Sequence, residues 1–400
     1  MRYASPYTPG EGAMPRYLAG REAMLEEADK VLEAVAMGYP QQSVVYYGLR
    51  GVGKTVLLNA VEEKAEELDL LYSHIEIAEK RSFIVQIANA SKKIIHRMSV
   101  IESVKDLGHK ALGILQAFQV TYDPEEQTFS AGISEPSMYI SSGVLSDDLT
   151  EMFVAMGRMA AKARRAVCFF IDEIQYMKTN ELEALINALH RVNQLRLPIT
   201  IYGAGLPKIL KIFGEVKSYS ERLFQYIQVA ELSDQAAEEA IVKPAAELGV
   251  MYEDGAVREI KEWSKGYPFF IQELCNTIWE RTEGSVIRQS DVERAVPIFL
   301  EELDKGFFKI RYDRCTKKEH DFLFAMVRCG DLPCTISNVA NILHKKVSSI
   351  SPTRAQLISK GIIYSTGYGE IDFTVPQFDR YLKRINPELT IESIGESGEE

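Results

Sequence analysis

An α/β fold, a parallel sheet covered by helices on both faces, is predicted by three observations. Short apolar strands alternate with amphipathic helices through the first half of the chain. One of them, Val44 to Tyr47, runs through the glycine-rich G-L-R-G-V-G-K-T into an apolar helical run, Val56 to Leu68. After Ser233 helices follow one another, as in an appended bundle. The remaining sheet strands are expected at Leu70 to Ile77, Val167 to Ile171, Ile199 to Tyr202 and Tyr226 to Val229.

The chain has 400 residues, more than one core holds, and 46% of them are hydrophobic. Two or three packed domains are therefore expected. No apolar stretch approaches the roughly 20 residues that cross a bilayer, and the first dozen residues are polar, so no membrane and a cytoplasmic location are expected. The five cysteines (Cys168, Cys275, Cys315, Cys329, Cys334) are scattered without metal-ligand spacing and read as reduced structural thiols. The formal charge of -11 argues against wholesale nucleic-acid binding, but it is unevenly spread: Lys309 to Arg384 carries a net +6 and the rest -17.

Along the chain, residues 1–13 are expected to be disordered and 14–230 to form the sheet core. Residues 118–144 read as an insertion, with a hairpin around Tyr122 to Glu126 and a loop over Ser134 to Gly143. A helical lid is expected over 231–308: Ser233, Asp254 and Ser290 start helices, and Gly266 closes one before Pro268 opens the next. Residues 309–386 read as helix (Lys317 to Cys329), helix (Ser337 to Leu343), helix (Pro352 to Lys360), then two strands, Ile362 to Ser365 and Ile371 to Val375. Three helices and a hairpin are a winged helix-turn-helix arrangement. Residues 387–400 form an acidic tail expected to be disordered.

The glycine-rich turn carries the chemistry. A turn of this kind, leading into a helix N-terminus, aims backbone N–H groups and the positive helix end at a polyphosphate. Gly48, Leu49, Arg50, Gly51, Val52, Gly53, Lys54, Thr55 and Val56 are thus the expected ATP-binding residues. Lys54 reaches the outer phosphates and the Thr55 hydroxyl ligates Mg2+. A metal-binding acid is then needed, and the strand Val167 to Ile171 ends in Asp172, the second expected Mg2+ residue, followed by Glu173. Glu173 is placed to orient or deprotonate the attacking water.

With these motifs the chain resembles P-loop ATPases of the AAA+ and STAND type, in particular bacterial and archaeal ATPases related to the origin-recognition ATPase domain, over roughly residues 14 to 386. The resemblance implies a P-loop NTPase core with a helical lid and a C-terminal winged-helix domain. It implies an adenine-side segment in P-R-Y-L-A-G-R-E, with Leu18, Gly20 and Arg21 by the base; an ordinary helix start at Gly20 is the plainer reading. The family's phosphate-sensing residue after the fourth strand has no counterpart in Gly203 to Leu206, unless Thr200 substitutes. Its lid arginine is replaced by Phe269, next to Pro268, which in STAND proteins lies against the nucleotide. Arg222 falls where AAA+ proteins present an arginine to a neighbouring subunit, implying a homo-oligomer; an ion pair with Glu221 or Glu215 is the alternative.

Were the winged helix to bind double-stranded DNA, Thr353, Arg354 and Gln356 would face bases, while Lys345, Lys346, Ser348, Ser349 and Ser351 would meet phosphates. The expected function is a slow, Mg-dependent ATPase, a nucleotide-gated switch on DNA or a DNA-bound complex. The alternative is a signalling switch with a protein partner, the winged helix serving as an intramolecular latch over ADP.

Overall fold

Five parallel strands, β1 (Ser43–Tyr47), β2 (Leu71–Glu76), β3 (Val167–Asp172), β4 (Ile199–Gly205) and β5 (Phe224–Gln228), form the central sheet in the order β2-β3-β4-β1-β5. The computed structural model describes residues 4–10, 12–78, 82–122, 139–216 and 220–390. β3 and β4 are buried at every position, as their unbroken apolar runs require of strands covered on both faces. One face packs on helices Glu22–Ala36 and Lys54–Glu67, the other on Phe83–Ser99, Leu145–Ala163 and Thr179–Gln194.

The strand order places the C-terminal ends of β1, β3 and β4 side by side, the usual ligand edge of an open parallel sheet. Helix Lys105–Tyr122 runs through the first residues of the expected insertion, and Tyr122 donates to Asp148 Oδ2 at 2.7 Å. The hairpin expected beyond Tyr122 lies outside the described residues. The described part of the following loop is pinned to the same carboxylate by Ser141 Oγ (2.6 Å) and the Ser142 amide (2.7 Å).

The N-terminal segment corrects an expectation. Residues 1–13 look too polar to fold, yet Tyr7 is buried: its hydroxyl donates to Ile241 O at 2.5 Å and meets the Tyr252 hydroxyl at 2.9 Å. Its ring meets Trp279 edge-on at 6.2 Å. One aromatic side chain with a satisfied hydroxyl outweighs the composition around it.

Helices Asp234–Ala246, Asp254–Ser264, Pro268–Arg281 and Gln289–Glu302 form the lid. Ser233 caps the first, accepting from Ala236 N at 3.2 Å, whereas the last starts at Gln289 rather than Ser290, with Asp291 accepting from the Arg288 amide at 2.8 Å. The boundary expected at 308/309 falls inside a continuous helical run, because a π turn (Leu303–Phe308) joins Gln289–Glu302 to Lys309–Asp313. Phe307 and Phe308 hold this join in an aromatic cluster with Phe269, Phe270, Phe378 and Tyr381.

The C-terminal module is a small antiparallel sheet with helices. β8 (Cys334–Thr335), β9 (Ile363–Gly367) and β10 (Glu370–Phe373) pair in the order β8-β10-β9, packed on Lys317–Arg328, Ile336–Ile342 and Phe378–Ile385. The short strands β6 (Met251–Tyr252) and β7 (Val286–Ile287) pair within the lid. The helix expected from Pro352 starts five residues earlier, as Val347–Ser359, with Pro352 inside it. The Ser349 and Ser351 hydroxyls donate to the Lys346 and Val347 carbonyls at 2.7 and 2.8 Å, back-bonding that accompanies the proline in the first turns. The tail expected over 387–400 begins with a 3-10 turn, Pro387–Thr390, and residues 391–400 lie outside the described part.

Candidate functional site

The phosphate loop occupies the C-terminal end of β1. Gly48 must be glycine, since a Cβ there would stand 2.0 Å from the Val229 carbonyl oxygen; Gly53 caps helix Lys54–Glu67 with φ 87°, a left-handed conformation costly for other residues. Its neighbours turn the sequence pattern into geometry. Thr55 Oγ1 donates to Asp172 Oδ2 at 2.6 Å although 117 residues separate them, so the expected metal pair is brought together. Lys54, nearly buried, donates to Leu49 O at 2.8 Å across the loop. Burial pushes the Asp172 carboxyl above its usual range, opposed by the Thr55 hydrogen bond. A hydroxyl beside a carboxylate suits a hard divalent cation that keeps waters and phosphate oxygens in its shell.

Glu173 follows at the end of β3 with φ 53°. Its carboxylate accepts from the Gln175 amide and lies 3.7 Å from Arg50 Nη1. Gln175 also accepts from the Leu206 amide at 2.9 Å, at the end of β4. Thr200 does not substitute for the missing sensor: it pairs in register with Cys168 near the start of β4, away from the Asp172 edge, and its hydroxyl is buried without a hydrogen-bond partner. Sequence reading missed Gln175; the available signal was a polar residue two positions after Glu173, facing strand ends that offer none.

A cavity of about 540 Å³ opens at this edge. Arg50 to Val56 of the phosphate loop line it, with Glu173, Leu18, Arg21 and Pro268, whereas Gly48 and Leu49, also expected to bind ATP, do not. Arg21 is buried and donates to the Val52 and Ala230 carbonyls at 3.1 and 2.6 Å, tying the segment before the first helix to the loop. Gly20 lies in the turn before it, against Ala236 of the lid. From the lid, the Phe269 amide donates to Gly51 O at 3.2 Å. Thr8, Gly10 and Gly12 also line the cavity, so the N-terminal segment expected to be disordered forms part of its wall.

The opposite wall belongs to the C-terminal module and the join before it. Arg311, Arg314, Lys360 and Gly361 line the cavity, and the Arg50 amide donates to Thr374 O at 3.1 Å. Lys208, after β4, donates to Ser359 O at 3.3 Å. Sequence spacing carries no sign of these contacts, because Arg50 and Thr374 lie 324 positions apart and Lys208 and Ser359 lie 151 apart.

Arg222 is not in this cavity. It is exposed in the short turn before β5, at the N-terminal edge of the sheet, and among the described residues it pairs with neither Glu215 nor Glu221. Of the expected DNA-facing residues, Lys345, Lys346, Ser348, Ser349, Ser351 and Gln356 are exposed. Thr353 and Arg354 are half-buried, and Arg354 donates to Ser365 Oγ on β9 at 3.1 Å.

Residues 17–202 match the family described as AAA ATPase domain, and 305–382 match a domain of unknown function, DUF8462. No curated protein matches the chain by sequence. Among solved structures, the Walker-type ATPase PABY2304 of Pyrococcus abyssi is similar at 13% identity over 96% of this chain and 99% of its own, with a TM-score of 0.56. The Orc1 protein of Aeropyrum pernix in complex with DNA is similar at 16% identity over 94% and 95%, with a TM-score of 0.46. The Thermotoga maritima RuvB Holliday junction branch migration motor is similar at 16% identity over 91% and 95%, with a TM-score of 0.42. Residues 17–202 thus carry a match to the AAA ATPase domain, whose chemistry is ATP binding and hydrolysis.

Proposed function

We propose that the chain is a slow, Mg-dependent ATPase that works as a nucleotide-gated switch, its C-terminal winged helix acting as the latch. The observation that carries this reading is the shared cavity: one wall is the phosphate loop, the other is the C-terminal module, joined at Arg50 and Thr374. A nucleotide whose phosphates sit there meets both walls, so changing its terminal phosphate changes what holds them together.

In this reading Lys54 turns from the Leu49 carbonyl to the outer phosphates, and Glu173 orients the attacking water. Thr55 and Asp172 would hold Mg2+, which would supply charge neutralisation at the phosphate oxygens. Slowness follows from two missing donors. The end of β4 offers no polar side chain, and the lid presents Phe269 where an arginine is expected; each such donor is worth roughly 3 to 4 kcal/mol in a dry site. Arg222, exposed away from its own cleft, is then the residue that serves a neighbouring subunit in a homo-oligomer.

The partner is double-stranded DNA in the reading we favour, supported by the net +6 of the module and the exposed Lys345, Lys346 and Ser349. The protein-partner alternative draws on the same latch. Filter binding to duplex DNA with ATP and with ADP separates them. Six to ten phosphate contacts lose about three to five decades of affinity between about 50 and 200 mM salt, with tighter binding in one nucleotide state. No DNA affinity in either state removes DNA as the partner.

A further inference from the structure

Arg50 stands where the phosphate loop, the acid that follows β3 and the C-terminal module meet. Its guanidinium lies 3.7 Å from Glu173 Oε1 and donates to the Tyr176 hydroxyl at 3.1 Å. Its amide is held by Thr374 O. The module also presses on the far end of this group: a Cβ built on Gly361 would meet Leu206 at 3.2 Å, Arg50 Nη2 at 3.7 Å and Tyr176 Oη at 3.8 Å. Thr374 Oγ1 closes the contact from behind, donating to Gly361 O at 2.5 Å.

We infer that Arg50 is a positioning residue for Glu173, and that it passes the seating of the C-terminal module on to that carboxylate. Glu173 is held by two partners, a hydrogen bond from Gln175 on one oxygen and the ion pair with Arg50 on the other. To face a water poised for attack it must leave at least one of them. Gln175 is fixed from below by the Leu206 amide, so it stays. Arg50 is the partner that moves, because its backbone is tied to a module that leaves. While the module is seated, the guanidinium keeps Glu173 turned along the loop; when the module lifts, Thr374 releases the loop and the carboxylate swings free. Hydrolysis is thereby slowest in the latched state. This rests on the latch reading above.

The test uses the full chain and steady-state hydrolysis at saturating ATP. The variants are Arg50→Ala, Gln377→Glu and the double variant, with hydrogen exchange over residues 361–375 reporting the seating. Gln377 Nε2 donates to Trp263 O of the lid at 2.6 Å, so a carboxylate there repels that carbonyl and weakens one of the module's holds without touching the cleft. Each single variant is expected to raise kcat about fivefold or more, with no further rise in the double, since both act through one carboxylate. Arg50→Lys, which keeps the charge but not the fork spanning Glu173 and Tyr176, is expected to fall between wild type and Arg50→Ala. A lower kcat in Arg50→Ala, or increases that multiply in the double, overturns the role of Arg50 and leaves the switch standing. Faster exchange in Gln377→Glu with kcat unchanged overturns both.

Discussion

The two walls of the cleft are held in opposite ways. The phosphate wall grows from strands buried on both faces: Val45, Ile171 and Ala204 are fully enclosed, and the Thr55 to Asp172 hydrogen bond crosses the middle of the sheet. The module wall touches the ATPase core through a few hydrogen bonds, among them Arg50 to Thr374 and Lys208 to Ser359, whereas with the lid it shares the aromatic cluster around Phe308 as well as the Gln377 to Trp263 hydrogen bond. Each bond of this kind is worth about 1 kcal/mol net. In the switch proposed above, this difference separates roles: the rigid wall carries the chemistry, and the wall lightly held on the core is the part that a change of ligand displaces.

The rigid wall breaks the most when altered. Lys54→Ala is expected to abolish ATP binding in calorimetry, since the cation facing the outer phosphates is gone; heat equal to wild type would place the phosphates elsewhere. Glu173→Gln is expected to keep ATP binding and lose roughly 100- to 10,000-fold in turnover, measured as phosphate release. Intact turnover would remove the glutamate from its role.

Smaller effects separate the walls by pH. In the module, Glu319 is buried and bonded to Lys360 at 2.7 Å and to the Thr316 amide at 2.6 Å. Burial pushes its carboxyl up, but these partners more than offset that and hold it below its usual range. Its stabilisation is therefore present above the unfolded carboxylate value and lost as pH falls through the lower folded one. Glu319→Gln is expected to cost the module about 1 to 3 kcal/mol near neutrality, with the difference shrinking in acid, as read by urea melts. In the core, His74 pairs with Glu62 at 2.7 Å, which ties β2 to the helix after the phosphate loop. The Glu62 hydrogen bond raises the His74 pKa above its usual value. This contribution is complete below the unfolded histidine value and lost as pH rises through the raised one. His74→Gln is expected to cost about 0.5 to 1 kcal/mol near pH 6 and less near pH 8.5. Equal costs at both values would show that the pair carries no charge coupling.

What was legible in the sequence follows the same division. The five strands, the phosphate loop and the Asp172 and Glu173 pair were readable because period, glycines and a strand-end acid are local signals whose meaning does not depend on distant residues. The start of the Val347–Ser359 helix was not: Pro352 suits a first turn, and only the packing of Ile350 and Leu357 extends the helix ahead of it. Tyr7 was hidden for a related reason, since its burial depends on Ile241, Tyr252 and Trp279, which no local pattern joins to it. Gln175 and Arg50 were in view as letters, but their shared hold on Glu173 exists only once β3, β4 and the loop lie edge to edge.

The most direct test of the shared cleft is hydrogen exchange of the Arg50 amide and of residues 361–375 in the full chain, compared between ADP and ATP in the Glu173→Gln variant, which holds ATP unhydrolysed. Slow exchange with ADP and faster exchange with ATP, at Arg50 and over 361–375 together, is the predicted result. Identical exchange in both states, or a change at one site without the other, would contradict a cleft whose second wall is set by the nucleotide.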